Sequence, residues 1–391
     1  MLWNLLDILR PWLMEQGLWR WVMVLDRLPF RSFVAGALAF TIVVSLGGRL
    51  TRWLRSKKIG DAAQFDVQAL NEAMAAKANT PTMGGLLIAG AILASTLLLA
   101  DLTVRYIQLA LVTLVWMAAV GGADDWLKLT AASRPGGSRQ GLYSWEKFVF
   151  QLGIGLLVGY FAFSAGFGPE PGAKSLSHVV NLPFQRTFTP PGGEPNDALW
   201  YLPLGAYVVV MTLMMAGMSN AVNITDGMDG LAAGVTAVVG LGLLVLCFLS
   251  GAEAARDLLV PYVATAEELA IPAAAMVGAS LGFLWFNCSP ASVFMGDTGS
   301  LCLGGLIGYM AVVLRQEVVV LVMAGVFVIE IASVIIQVGY FKLTKGKRVF
   351  RCAPYHWHLR MGGLPEQKIV ARFWIVSALF VAVALASLKL R

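Results

Sequence analysis

Carboxylates beside long apolar runs are expensive and need a reason. This chain places five of them so. Asp124 and Asp125 close a run ending in Gly121-Gly122-Ala123. Asp226 and Asp229 lie in Asn220-Ala221-Val222-Asn223-Ile224-Thr225-Asp226-Gly227-Met228-Asp229-Gly230. Asp297 lies in Phe294-Met295-Gly296-Asp297-Thr298-Gly299-Ser300, shortly after Asn287. Any one of them could simply cap a helix; five beside Asn, Thr and Gly read better as an acidic cluster. On a helix, positions 124 and 125 diverge by about 100°, so they divide their work. One faces a reacting centre while the other holds a cation or a lysine. Asp226 and Asp229, three apart, share a face if that stretch is helical. Oxygen ligands among Asn and Thr suit Mg²⁺, a hard cation that takes carboxylates together with substrate phosphates.

Basic and imidazole groups complement these acids. Lys77 precedes Thr80-Pro81-Thr82-Met83-Gly84-Gly85, where Thr82 is placed to cap the following helix and free N–H groups favour anions. Lys128 and Lys147 flank a loop containing Arg134-Pro135-Gly136-Gly137, which lacks Walker spacing. Arg351-Cys352-Ala353-Pro354-Tyr355-His356-Trp357-His358 holds two of the 3 histidines. At i and i+2, with no cysteine pair and no third ligand, His356 and His358 suit hydrogen bonds to a phosphate or sugar better than zinc. Glu330, deep in an apolar run, reads as a buried structural carboxylate with a helix partner, a proton relay being the lesser alternative.

The elements that position these groups are membrane spans. Of 391 residues, 58% are hydrophobic and 13% charged, too greasy for a soluble globule. Runs of roughly 20 apolar residues cross about 30 Å of hydrocarbon. Such runs fall at 31–49, 82–100, 104–123, 148–167, 200–219, 230–250, 269–288, 300–314, 318–341 and 370–388. The expected fold is all-α: one polytopic integral membrane domain over 1–391, with about ten transmembrane helices. Residues 1–28 read as a Trp-rich interfacial segment, not a cleavable leader. Most of the 29 basic residues fall in the loops 49–81, 124–147, 220–229, 287–299 and 342–372, which should be cytoplasmic, leaving both termini periplasmic. The net charge of +6 then reflects membrane topology, not a nucleic-acid partner. A periplasmic loop over 164–199 carries Val179–Leu182 and Phe184–Phe188, which could pair as a hairpin, and 342–370 is the cytoplasmic loop with the histidines. Cys247, Cys288, Cys302 and Cys352 are scattered and form no disulfide framework.

At these residues the chain resembles the phospho-N-acetylmuramoyl-pentapeptide-transferase family, within the polyprenyl-phosphate N-acetylhexosamine-1-phosphate transferases. Lys77 with Thr80–Gly85, Asp124-Asp125, Asn220–Leu231, Phe294–Ser300 and Ala353–His358 occur in that family's order and span most of the chain. The resemblance implies a homodimer in the cell inner membrane with a cytoplasmic cleft. The implied substrates are UDP-MurNAc-pentapeptide and undecaprenyl phosphate, and the products lipid I and UMP. By position it implies Mg²⁺ on Asp297. Asp124 and Asp125 match a pair that serves as base, nucleophile or lipid-phosphate ligand. Asn220, Asn223, Asp226, Asp229, Asn287 and Phe294 match the nucleoside and diphosphate pocket, and Lys77, Thr82, Lys128, Gln337, Ala353, His356 and His358 further pocket positions. Trp357 stands where the family usually has the middle of three histidines. Two rival readings remain: a transferase for UDP-GlcNAc, and a lipid-linked transporter or flippase, which would want its acids near the bilayer midplane.

Overall fold

The computed structural model describes residues 1–56, 80–130, 141–167, 174–182, 185, 187 and 196–388. A short helix α1 (Leu2–Glu15) precedes α2 (Leu28–Ser56), α3 (Gly85–Leu99), α4 (Arg105–Thr130) and α5 (Ser144–Ala165). Then come α6 (Leu204–Thr225), α7 (Leu231–Leu249), α8 (Ala270–Asn287), α9 (Gly296–Val313), α10 (Glu317–Met323), α11 (Gly325–Leu343), α12 (Tyr355–Met361) and α13 (Glu366–Ser387). Among the described residues 9 helices are long and apolar enough to cross a membrane, and α3 is a shorter apolar one. The protein is an all-helical, multi-pass membrane protein.

Three sequence expectations need correction. The run 318–341 is two helices: α10 ends at Met323 and α11 begins at Gly325, with Ala324 between them. The run 300–314 begins earlier, at Gly296, so Asp297 stands in the first turn of α9. In the loop at the far end of the bundle, Val179 pairs with Tyr201 and not with the 184–188 stretch, whose residues 184, 186 and 188 lie outside the described ones. Val180 N–H donates to Trp200 O and Thr187 N–H to Leu259 O, so described backbone groups on both stretches find partners elsewhere.

The bundle is organised around α9, which packs against α6, α4 and α3, while α8 packs against α2, α7 and α3. Without a hydrophobic drive between helices in lipid, close approach depends on small residues. Gly304 and Gly308 supply it. A Cβ on either would stand 2.4 Å from the Met218 or Met214 carbonyl oxygen of α6. Gly304→Ala is expected to cost about 2 kcal/mol, because backbone cannot move aside as a side chain can. An unchanged midpoint of thermal unfolding in detergent would contradict that close contact.

The far end is tied by buried charge. Arg31 of α2 pairs with Glu268 at 2.5 Å and bonds Leu99 O at 3.1 Å. Arg315, also buried, donates to Val179 O at 2.8 Å, meets Glu317 at 2.7 Å and lies over the Tyr207 ring. Helix α1 is fastened to the same end: the Met1 ammonium donates to Leu97 O and Asn4 to Asp101.

Candidate active site

Helix ends from four segments converge at the other end of the bundle. The glycine at 296 has φ +73°, a left-handed turn that starts α9 and delivers Asp297 against α4. A Cβ on Gly121 would lie 2.2 Å from Asp297 O, so only glycine lets the two backbones touch there. Oxygens of Asp124, Asp125 and Asp297 lie within 4.8 Å of one another, and all three residues are buried.

The adjacent acids divide their work as the helical offset requires. Asp125 accepts from Asp297 N–H at 3.1 Å, Thr298 N–H at 2.9 Å and Thr298 Oγ1–H at 2.6 Å. It therefore caps the positive end of α9 from a neighbouring helix. Asp124 accepts from Leu142 N–H at 2.7 Å through Oδ1, and its Oδ2 lies 2.8 Å from both Lys128 Nζ and Lys147 Nζ. Those ammonium groups also reach Asp297 Oδ2, at 3.4 Å from Lys128 and 2.5 Å from Lys147. Both adjacent aspartates nevertheless line one pocket with Asp297.

Asn223 completes the inner ring, donating to Asp297 Oδ1 at 2.8 Å and Ser300 Oγ at 2.9 Å. Asn220, one turn back on α6, donates to Gln151 Oε1 at 2.7 Å. Asp226 follows α6 as its C-cap, so it does not share a helical face with Asp229. Burial first, and the negative charge of Asp297 second, push its carboxyl well above the usual value. Asp229 accepts from Ala291 N–H at 3.1 Å, and Asn287 binds Gly230 N–H at 3.0 Å and Val293 O at 2.9 Å. These two brace the turns around the pocket. Thr82 does not cap α3, whose N-cap is Gly84. Its hydroxyl stands instead beside Gly296, where a Cβ would be 2.8 Å from Thr82 Oγ1. Phe294 O accepts from Gly84 N–H at 2.9 Å, pinning α3 to the Asp297 segment.

The histidine segment approaches from the side. Glu330 and His356 are both fully buried, with Nδ1 to Oε2 at 3.0 Å and His356 N–H to Oε1 at 3.1 Å. Glu330 has its expected helix partner, His356 of α12. The opposite ring atom, His356 Nε2, has no hydrogen-bond partner among the described residues and faces Gly227, where a Cβ would lie 2.5 Å away. Trp357 Nε1 is also near, 3.3 Å from the same point. His358 Nδ1 accepts from Arg351 N–H at 3.1 Å, and its ring stacks on Tyr355. Gln337 accepts from Val349 and Phe350 N–H at 3.1 and 2.9 Å. Both thus hold the loop itself, beside Ala353, and the structure does not bring them into the aspartate ring. Lys77 lies outside the described residues. In the sequence Lys147 stands out only as a base flanking a loop, and Thr298 and Gln151 not as site residues. Lys147 carried a signal: a lysine in the first turn of a span, on the same side as the acids.

Residues 107–315 match the family model described as Glycosyl transferase family 4, which sets the class. Residues 77–88 match Phospho-N-acetylmuramoyl-pentapeptide-transferase signature 1. Curated relatives of that name include one from Oleidesulfovibrio alaskensis, 42% identical over 363 residues, 93% of this chain and 94% of the relative. Another, from Desulforapulum autotrophicum, is 40% identical over 363 residues with the same coverage, and one from Nitratidesulfovibrio vulgaris is 42% identical over 364 residues. The chain belongs to the phospho-N-acetylmuramoyl-pentapeptide-transferase family.

Proposed function

We propose that this transferase moves phospho-MurNAc-pentapeptide from UDP-MurNAc-pentapeptide to undecaprenyl phosphate, releasing UMP and forming lipid I. The observation that carries the reading is the ring of Asp124, Asp125 and Asp297 faced by Lys128 and Lys147. Three hard-oxygen donors in one buried pocket fit Mg²⁺, with Asp297 its principal holder and the adjacent pair completing the set. Bound there, the ion would neutralise charge on the diphosphate.

The chain's own groups do the rest. Lys128 and Lys147 present fixed positive charge to phosphate oxygens, the preorganised electrostatics that dominate phosphoryl transfer. Asp125 is committed to the α9 N-terminus, which leaves Asp124 as the carboxylate suited to take the residual proton of the lipid phosphate. That phosphate is largely ionised at neutral pH, so positioning matters more than base catalysis. In-line attack by the lipid is favoured. A phospho-aspartyl intermediate on Asp124 is the alternative, because a carboxylate can act as nucleophile.

The basic loops at the aspartate end support a cytoplasmic active site in the cell inner membrane with both termini periplasmic, and the family resemblance supports a homodimer. Purified protein with Mg²⁺, undecaprenyl phosphate and either UDP-MurNAc-pentapeptide or UDP-GlcNAc should release UMP only from the former. Release only from UDP-GlcNAc would move the substrate assignment, and none from either would defeat the transferase reading in favour of a transporter. Isotope exchange between UMP and the nucleotide sugar without lipid should be absent; its appearance would establish the covalent route.

A further inference from the structure

At the aspartate end, Leu46, Arg49, Leu50 and Trp53 fall at i, i+3, i+4 and i+7, one stripe on the last turns of α2. Leu86 and Leu87, from the first turn of α3, form the opposite wall of a groove of about 370 Å³. Its sides are the exposed Leu46 and Leu86, the half-buried Leu50 and Leu87 and a half-exposed Trp53, yet an exposed arginine stands in the middle of the stripe. Among the described residues Arg49 has no carboxylate partner. Arg52 follows at i+3 on the same side, and Arg55 reaches toward Ser292 O, which fixes this end of α2 beside the Asp297 segment.

A cation set into a lipid-facing apolar groove at headgroup depth calls for an anion that carries its own hydrocarbon. Two physical features identify which. Leucines line both walls, with Arg49 among them and Arg52 beside it, matching acyl chains that end in a phosphate. The groove also lies away from the reacting centre: on the other face of α3 a Cβ on Gly85 would meet Gly299 N at 2.0 Å, so α3 packs backbone to backbone on the segment that follows Asp297. Among the described residues α3 stands between this groove and the aspartates, which favours an occupant other than the acceptor. We propose that the α2–α3 groove binds an anionic membrane phospholipid, its phosphate on Arg49 and its chains along the leucines. This site stands independently of which nucleotide sugar the enzyme uses.

Full-length protein in detergent would be given phosphatidylglycerol or phosphatidylcholine and analysed by native mass spectrometry for retained lipid. Wild type should retain phosphatidylglycerol in preference to phosphatidylcholine. Arg49→Leu should lower that retention about fivefold, the share of one basic residue at a membrane surface. Arg49→Lys should restore it, and Leu86→Asn on the opposite wall should lose it as Arg49→Leu does. Arg105→Leu, at the far end, should leave it unchanged. Equal retention of both lipids, or full retention by Arg49→Leu, would overturn the proposal. Displacement of phosphatidylglycerol by undecaprenyl phosphate in an Arg49-dependent manner would assign the groove to the acceptor instead.

Discussion

Asp297→Ala is expected to lower the rate of UMP release by roughly a thousandfold, the scale of removing a principal electrostatic group from a preorganised site. Asp297 gathers more of the pocket than any neighbour. Its Oδ2 meets Lys147 at 2.5 Å and Lys128 at 3.4 Å, and its Oδ1 accepts from Asn223 at 2.8 Å. Losing it leaves two ammonium groups converging on Asp124 and removes one of three oxygen donors from the cation pocket. Asp297→Asn should be nearly as inactive, because it keeps the shape and discards the charge. Asp297→Asn should unfold near the wild-type temperature, since it keeps the side-chain shape and Asp125 bonds the backbone of residue 297. Chelating the wild type should reproduce the defect and added Mg²⁺ should reverse it. A variant that keeps more than about a tenth of the rate would place the chemistry elsewhere.

Glu330→Ala should be the most damaging change outside the aspartate ring. It strands His356 N–H and Nδ1 in a fully buried site, a loss of about 3 kcal/mol in stability. Glu330→Gln keeps an acceptor for the backbone N–H and should recover much of that. Its activity should nevertheless stay roughly 10- to 100-fold down, the usual cost of losing the group that orients a functional histidine. The reason is geometric. Glu330 fixes Nδ1 as the bonded atom, so Nε2 is presented to the turn at Gly227. Thermal unfolding and kcat/KM measured on both variants separate the two effects. Full activity in Glu330→Gln would reduce Glu330 to a packing residue.

Much of this architecture could be read from residue order. Apolar runs located the spans because the hydrocarbon thickness imposes a length that composition cannot disguise. They failed where composition stays apolar while the backbone turns, as at Ala324 between α10 and α11. The gathering of Asp124, Asp125 and Asp297 was legible because buried acids demand partners. Which partners was not. Thr82 looked like a cap, but the helix starts three residues later and the hydroxyl serves the Gly296 turn. Glu330 promised a partner, yet nothing along the chain pointed to His356, 26 positions on, because tertiary folding brings them together. Asp226 and Asp229 would share a face only on a helix, and that condition fails because α6 ends at Thr225.

Helix α9 has a consequence for biogenesis. Its most apolar window has a mean hydropathy of 1.2, the lowest among the spanning helices, and 94% of that window is buried in protein. Taken alone, its glycines and its leading aspartate make it a reluctant entrant to lipid. Ribosomal order solves the difficulty: α4 and α6, the surfaces it needs, emerge long before it. The nascent chain therefore carries a ready-made slot across the bilayer by the time α9 leaves the translocon. Synthesised without those earlier helices, the same segment should stall at the interface or slip back out.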